Sequence, residues 1–167
     1  FPNYITVMGG SGSGIPYNES FEDVSSIPND NWAIDNSEGP GFQVGSNIAA
    51  TGDKCVKLEN SSANEGDIDE LISAPINLSN LESASISFKY AFAKKNTSNS
   101  DFLRIYASFD CGENWNTRKN IPSNSLPTHP NTSSSFIPNE DSWTTINVPG
   151  ISNAYLVDNF RLKFEFN

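Results

Sequence analysis

The chain has 167 residues, 36% of them hydrophobic and 18% charged, with a formal net charge of −10. That length suits one domain with a sizeable core, and the excess of acid excludes nucleic acid as a natural partner. No run approaches the roughly 18 apolar residues of a membrane-spanning helix, and no basic-then-apolar leader opens the sequence.

In chain order, residues 1–8 form a short β-like run and "GGSGSG" (9–14) is a linker by composition, of natural or introduced origin. The main domain spans 15–167. Its apolar residues recur with a period of two. "ASISFKYAFA" places Ile86, Phe88, Tyr90 and Phe92 on one face. "FLRIYASF" sets Leu103, Ile105, Ala107 and Phe109 against Phe102, Arg104, Tyr106 and Ser108. "FRLKFEF" alternates Phe160, Leu162, Phe164 and Phe166 with Arg161, Lys163 and Glu165. Shorter strand candidates are 17–23, 54–60, 69–73 and 143–148, and "YLVDNF" (155–160) reads as a loop or strand start. No stretch carries a helical period. Strands with one apolar face need a second layer, so the expected fold is an all-β, antiparallel jelly-roll β-sandwich. The polar segments 94–100 and 120–142 read as loops; the second, with four prolines, is long enough to be functional or disordered.

Hydrolytic chemistry finds little support. The single histidine, His129, lies in "PTHPN" and reads as a solvated loop residue, which leaves a Ser-His-Asp or Cys-His arrangement without a base. No H-E-x-x-H zinc motif is present. Paired carboxylates remain open to any two acids that meet in space. Calcium, which takes six to eight oxygens, has candidate ligands in Glu19, Glu22, Asp23, Asp67, Asp69 and Asp101. The two cysteines, Cys55 and Cys111, either form one bridge, if the protein is secreted, or remain two thiols.

"SFDCGENW" (108–115) reads S-x-D-x-G-x-x-W, the Asp-box hairpin. Asp110 can accept backbone N–H groups of the turn, Gly112 supplies a backbone angle costly to other residues, and Trp115 packs onto the hairpin beside Ser108. A sialidase propeller repeats this signature; here it occurs once, without an arginine cluster.

Several stretches resemble one module family. "YNESFED…IPNDNW", "DELISAPINLSN" and "ISFKYAFAKKNTSNSDFLRIYASFDCGENW" are similar to segments of the MAM-like jelly-roll modules labelled "choice-of-anchor J" in secreted Bacteroidetes proteins, relatives of the cleaved-adhesin domains. The resemblance covers about 15–167. Residues 1–8 resemble the closing strand of a PKD domain. The resemblance implies a jelly roll in a secreted or cell-surface bacterial protein, accessory to a pappalysin-type zinc metallopeptidase. It implies structural calcium at Glu22 and Asp101, with Asp69 a further candidate. Related modules continue past "RLKFEF" into one more strand, so the resemblance also implies a sandwich lacking its last strand.

The function expected is a non-catalytic accessory module that binds an extracellular protein or glycan and contacts neighbouring domains of the same precursor. Its candidate ligand-stacking residues are Trp32, Trp143, Tyr90 and Tyr106. Alternatives are a calcium-rigidified spacer without its own ligand, and a catalytic fragment.

Overall fold

A computed structural model describes residues 5–9, 17–36, 39, 41–59 and 66–167. Where apolar and polar residues alternate, the backbone is extended. The strands are β1 (Ile5–Gly9), β2 (Tyr17–Glu19), β3 (Trp32–Asn36), β4 (Gln43–Ser46), β5 (Lys54–Lys57) and β6 (Asp69–Ser73), followed by β7 (Ala84–Tyr90), β8 (Leu103–Ser108), β9 (Asn116–Ile121), β10 (Thr144–Ile151) and β11 (Arg161–Phe166). The helical segments among the described residues are two 3-10 turns, Glu140–Ser142 and Asn153–Tyr155.

The strands form an antiparallel β-sandwich. One layer has the order β10-β7-β1-β2, the other β3-β6-β11-β8-β9, and β4 and β5 make a separate hairpin. Phe88 from the first layer meets Phe164 from the second edge-to-face, with ring centroids 5.1 Å apart, a favoured aromatic geometry. Ile86, Ile105, Phe160 and Leu162 have no exposed surface and complete the middle of the core.

Three differences from the sequence reading have physical causes. The run expected to close a preceding domain supplies β1, which pairs antiparallel with β7 (Thr6↔Ser87, Val7↔Ile86) and with β2 (Val7↔Tyr17). It is a strand of this sandwich, and most of the "GGSGSG" linker lies outside the described residues. Strands β3, β4 and β9 lack a clean apolar alternation and escape the period-two reading; β9, "NTRKNI", buries only Ile121 fully. The long segment 120–142 is held in place. Leu126 is buried, the Thr128 N–H donates to the Phe92 carbonyl at 2.9 Å, and Thr132 N–H donates to the Lys94 carbonyl at 2.9 Å. Segment 155–160 takes the loop alternative of its reading, the end of a 3-10 turn running into bends until Phe160 bridges to Ile76.

Candidate functional site

The hairpin between β8 and β9 is the Asp box, and its hydrogen bonds converge on two side chains. Ser108 Oγ, fully buried at the end of β8, accepts from the N–H groups of Asp110 (3.2 Å) and Gly112 (2.8 Å) and donates to Asp110 Oδ1 at 2.6 Å. Asp110 also accepts from the Asn114 N–H at 2.9 Å and from Asn114 Nδ2 at 2.7 Å. These donors hold the Asp110 carboxyl down at about 2, the Ser108 hydroxyl contributing most. Cys111 and Gly112 are consecutive left-handed residues, φ 61° and 95°, and Gly112 is also crowded: a Cβ there would stand 3.3 Å from both Trp115 and Arg161. Arg161 fastens the tip to the sheet, donating from Nη1 to the Cys111 carbonyl (3.3 Å) and from Nε to the Ser73 carbonyl (2.7 Å).

The hairpin delivers Trp115 to the outer face of the five-stranded layer. Registers place two cross-strand rows on that face: Ala33, Ile72, Lys163, Tyr106 and Thr117 in one, and Asp35, Glu70, Glu165, Arg104 and Asn120 in the other. Ala33, Asp35, Thr117 and Asn120 at the margins are exposed, while Lys163 and Glu165 on the central strand are each only 8% exposed. The sequence pattern put these two on a solvated face. Their burial comes from long neighbours on both sides. The Lys163 ammonium sits 4.8 Å from the Tyr106 ring centroid and 5.2 Å from that of Trp115. It is ion-paired to Glu70 and lies 3.9 Å from Glu165 Oε2. Glu165 Oε1 accepts from the Tyr106 hydroxyl at 3.1 Å and from Arg104 Nη1 at 3.4 Å, and Arg104 stacks over Phe102 at 4.0 Å. The centre of this face is a lysine clasped by two carboxylates and two aromatic rings.

The expected calcium ligands are not brought together. Glu22 Oε1 is taken by the N–H groups of Asp53 and Lys54, both at 2.9 Å, and these bonds lower its pKa. The Lys54 ammonium occupies the adjacent carbonyls, at 2.8 Å from Glu22 O and 3.0 Å from Val24 O. Glu19 accepts from the Phe21 N–H (2.8 Å) and from Trp32 Nε1 (3.0 Å). Asp69 and Asp101 lie towards the other end of the five-stranded layer, beside the end of β11. Among the described residues no group of three or more His, Cys, Asp or Glu is gathered as a metal site. Asp69 stands out differently: its Oδ1 is buried with no hydrogen-bond partner among the described residues, and burial, with the Asp67 charge second, raises its pKa.

The four candidate stacking residues divide. Trp32 is 1% exposed and belongs to the core, packed on Phe21 with its N–H on Glu19; this corrects its reading as a ligand contact. Tyr90 and Trp143 are half-buried and line a cavity between the layers, and Tyr106 lies on the outer face. Both cysteines are free, Cys55 buried in β5 and Cys111 exposed at the Asp-box tip, which corrects the bridged alternative. Lys163, Glu165, Glu70 and Arg104 carry the outer-face cluster without having been singled out. Their alternation along "FRLKFEF" is legible, but the register that joins them to β6 and β8 is not.

No family model, curated protein or solved structure matches the chain.

Proposed function

We propose that the chain is a non-catalytic binding module that holds an extracellular glycan on the outer face of its five-stranded layer. The observation that carries this is the Lys163 clasp, which sets Tyr106 and Trp115 beside Glu70, Glu165 and Arg104 on adjacent strands. Sugar recognition needs both halves of that arrangement: aromatic surface for the C–H face of the ring, and charged groups that accept from or donate to its hydroxyls. Adjacent strands stand roughly 4.8 Å apart, so neighbouring polar groups are spaced on the scale of a sugar ring. The internal ion pairs hold the side chains in place before a ligand arrives, which lowers the ordering cost of binding. His129, the single histidine, is exposed with Nδ1 2.9 Å from the Pro130 carbonyl, and this supports a non-catalytic reading.

In this proposal the module is accessory to other domains of a secreted or cell-surface bacterial protein, beside a zinc metallopeptidase. That setting rests on the resemblance of its sequence motifs to the choice-of-anchor J modules. Screening on a glycan array, followed by calorimetry on the hits, tests the reading. Wild-type protein is expected to bind, and Tyr106→Ala and Trp115→Ala each to weaken binding by roughly tenfold or more, the scale of a stacked base or ring. Binding that survives both substitutions, or hits confined to protein ligands, would reject it.

A further inference from the structure

Beneath the β4–β5 hairpin the two layers leave a cavity of about 140 Å³. Phe88, Tyr90, Phe164 and Trp143 line it together with Cys55 and Val56 of the hairpin. Among the described residues that line it, Lys89 is the one charged side chain, and it is exposed, alternating away from the inward-facing Phe88 and Tyr90. The walls are therefore hydrocarbon and aromatic, with no counter-charge for an ion.

Size and chemistry narrow the occupant. Pockets for drug-sized ligands run from roughly 300 Å³ upward, so this cavity takes a smaller group. An engineered protein cavity of about 150 Å³ lined by Leu, Ile and Phe stays dry and takes up benzene, which sets the scale at a single ring. A saccharide does not suit such walls, because its hydroxyls would lose water without gaining partners. Two polar groups remain at the side of the cavity. The Tyr90 hydroxyl and the Trp143 indole nitrogen make no hydrogen bond among the described residues. Trp143 Nε1 is closed off from solvent, whereas the Tyr90 side chain is half-buried.

We propose that this cavity is a binding site for a neutral, single-ring aromatic compound of the phenol class, its ring between Phe88, Phe164 and Val56 and its oxygen on the Tyr90 hydroxyl. The β4–β5 hairpin acts as the cover. It is hydrogen-bonded into neither layer of the sandwich; Glu22 accepts the Asp53 and Lys54 N–H groups at one end, and Val44 and Val56 pack against the core. The cavity is already half-open to solvent, so a ligand enters it without disturbing a strand of either sheet. The site stands on its own observations and does not depend on glycan binding by the outer face.

The test is a p-cresol titration of the whole 167-residue chain, followed by two-dimensional ¹H–¹⁵N NMR. Saturable shifts confined to the residues around the cavity are expected. Val56→Phe, which fills the cavity from the hairpin, should abolish them while keeping the dispersed spectrum of a folded chain. Tyr90→Phe should weaken binding about 2–10-fold, the value of one neutral hydrogen bond. Absence of saturable shifts in the wild type up to the solubility of p-cresol would overturn the proposal, whatever the variants do. So would shifts unchanged in Val56→Phe, or an affinity unchanged in Tyr90→Phe.

Discussion

Ser108 Oγ lies 2.6 Å from Asp110 Oδ1, and the same hydroxyl oxygen accepts the N–H groups of Asp110 and Gly112. One buried serine thus ties the end of β8 to the turn that carries Trp115. Asp110→Ala is expected to lower the melting temperature at neutral pH and to loosen Trp115, visible as a shift in its fluorescence. The pH dependence has a definite sign. The folded carboxyl is held down at about 2, below its unfolded value of 3.8. Its stabilisation is therefore present above the unfolded value and lost as pH falls through about 2. Thermal melts of wild type and variant should differ at pH 7 and converge at the acid end.

Lys163 is the centre of the outer face, ion-paired to Glu70 and near Glu165, with side-chain exposures of 10%, 17% and 11% respectively. Removing a single member of a buried charge group leaves the others uncompensated. Lys163→Met should cost on the order of 3 kcal/mol in urea unfolding. Glu70→Leu added to it should recover part of the loss, because the second substitution removes one stranded carboxylate. A double-mutant cycle with no coupling between the two positions would contradict the clasp.

Asp69 buries an oxygen that has no hydrogen-bond partner among the described residues, and burial with the Asp67 charge raises its pKa. A raised carboxyl pKa gives stability that is complete below the unfolded value and lost as pH rises through the folded one. Asp69→Asn should accordingly raise the melting temperature at pH 7, with the gain vanishing below the ordinary carboxylate range near pH 4. Calorimetric scans in chelator check this. A calcium-dependent rise in wild-type melting temperature that Asp69→Asn abolishes would show instead that the oxygen serves a cation.

The two thiols should separate cleanly. Cys111 is exposed, while burial pushes the Cys55 thiol up to about 11, and the thiolate is the reactive form. A thiol-specific reagent at neutral pH is expected to modify one cysteine in the native protein and two after denaturation. Reductant should leave the melting temperature unchanged.

The β-sandwich was legible because its central strands alternate without interruption. Ile86 and Phe88, Leu103 and Ile105, and Leu162 and Phe164 each fall on the buried face that period two assigns. The Asp box was legible because the hydrogen bonds of Ser108 and Asp110 within it span four residues or fewer, so spacing alone reports them. The outer-face cluster was not. Lys163 and Glu70 are 93 positions apart and meet only through the β6–β11 register. A one-residue slip of β11 against β6 would send Lys163 to the other face and part the pair. Trp32 misled for a related reason: a tryptophan in a polar stretch looks available, and only the long-range bond to Glu19 shows its burial. The acids of "NESFED" likewise look like cation ligands until backbone N–H groups from residues 53 and 54 are seen to occupy Glu22.

The central claim is that the face built around Lys163 binds a glycan. The most direct measurement is a calorimetric titration of a glycan-array hit into wild type and Tyr106→Ala, with the fold of each checked by circular dichroism. The account predicts saturable binding by the wild type and a loss of roughly tenfold or more in a folded variant. Equal affinities for the two proteins, or no glycan bound by either, would contradict it.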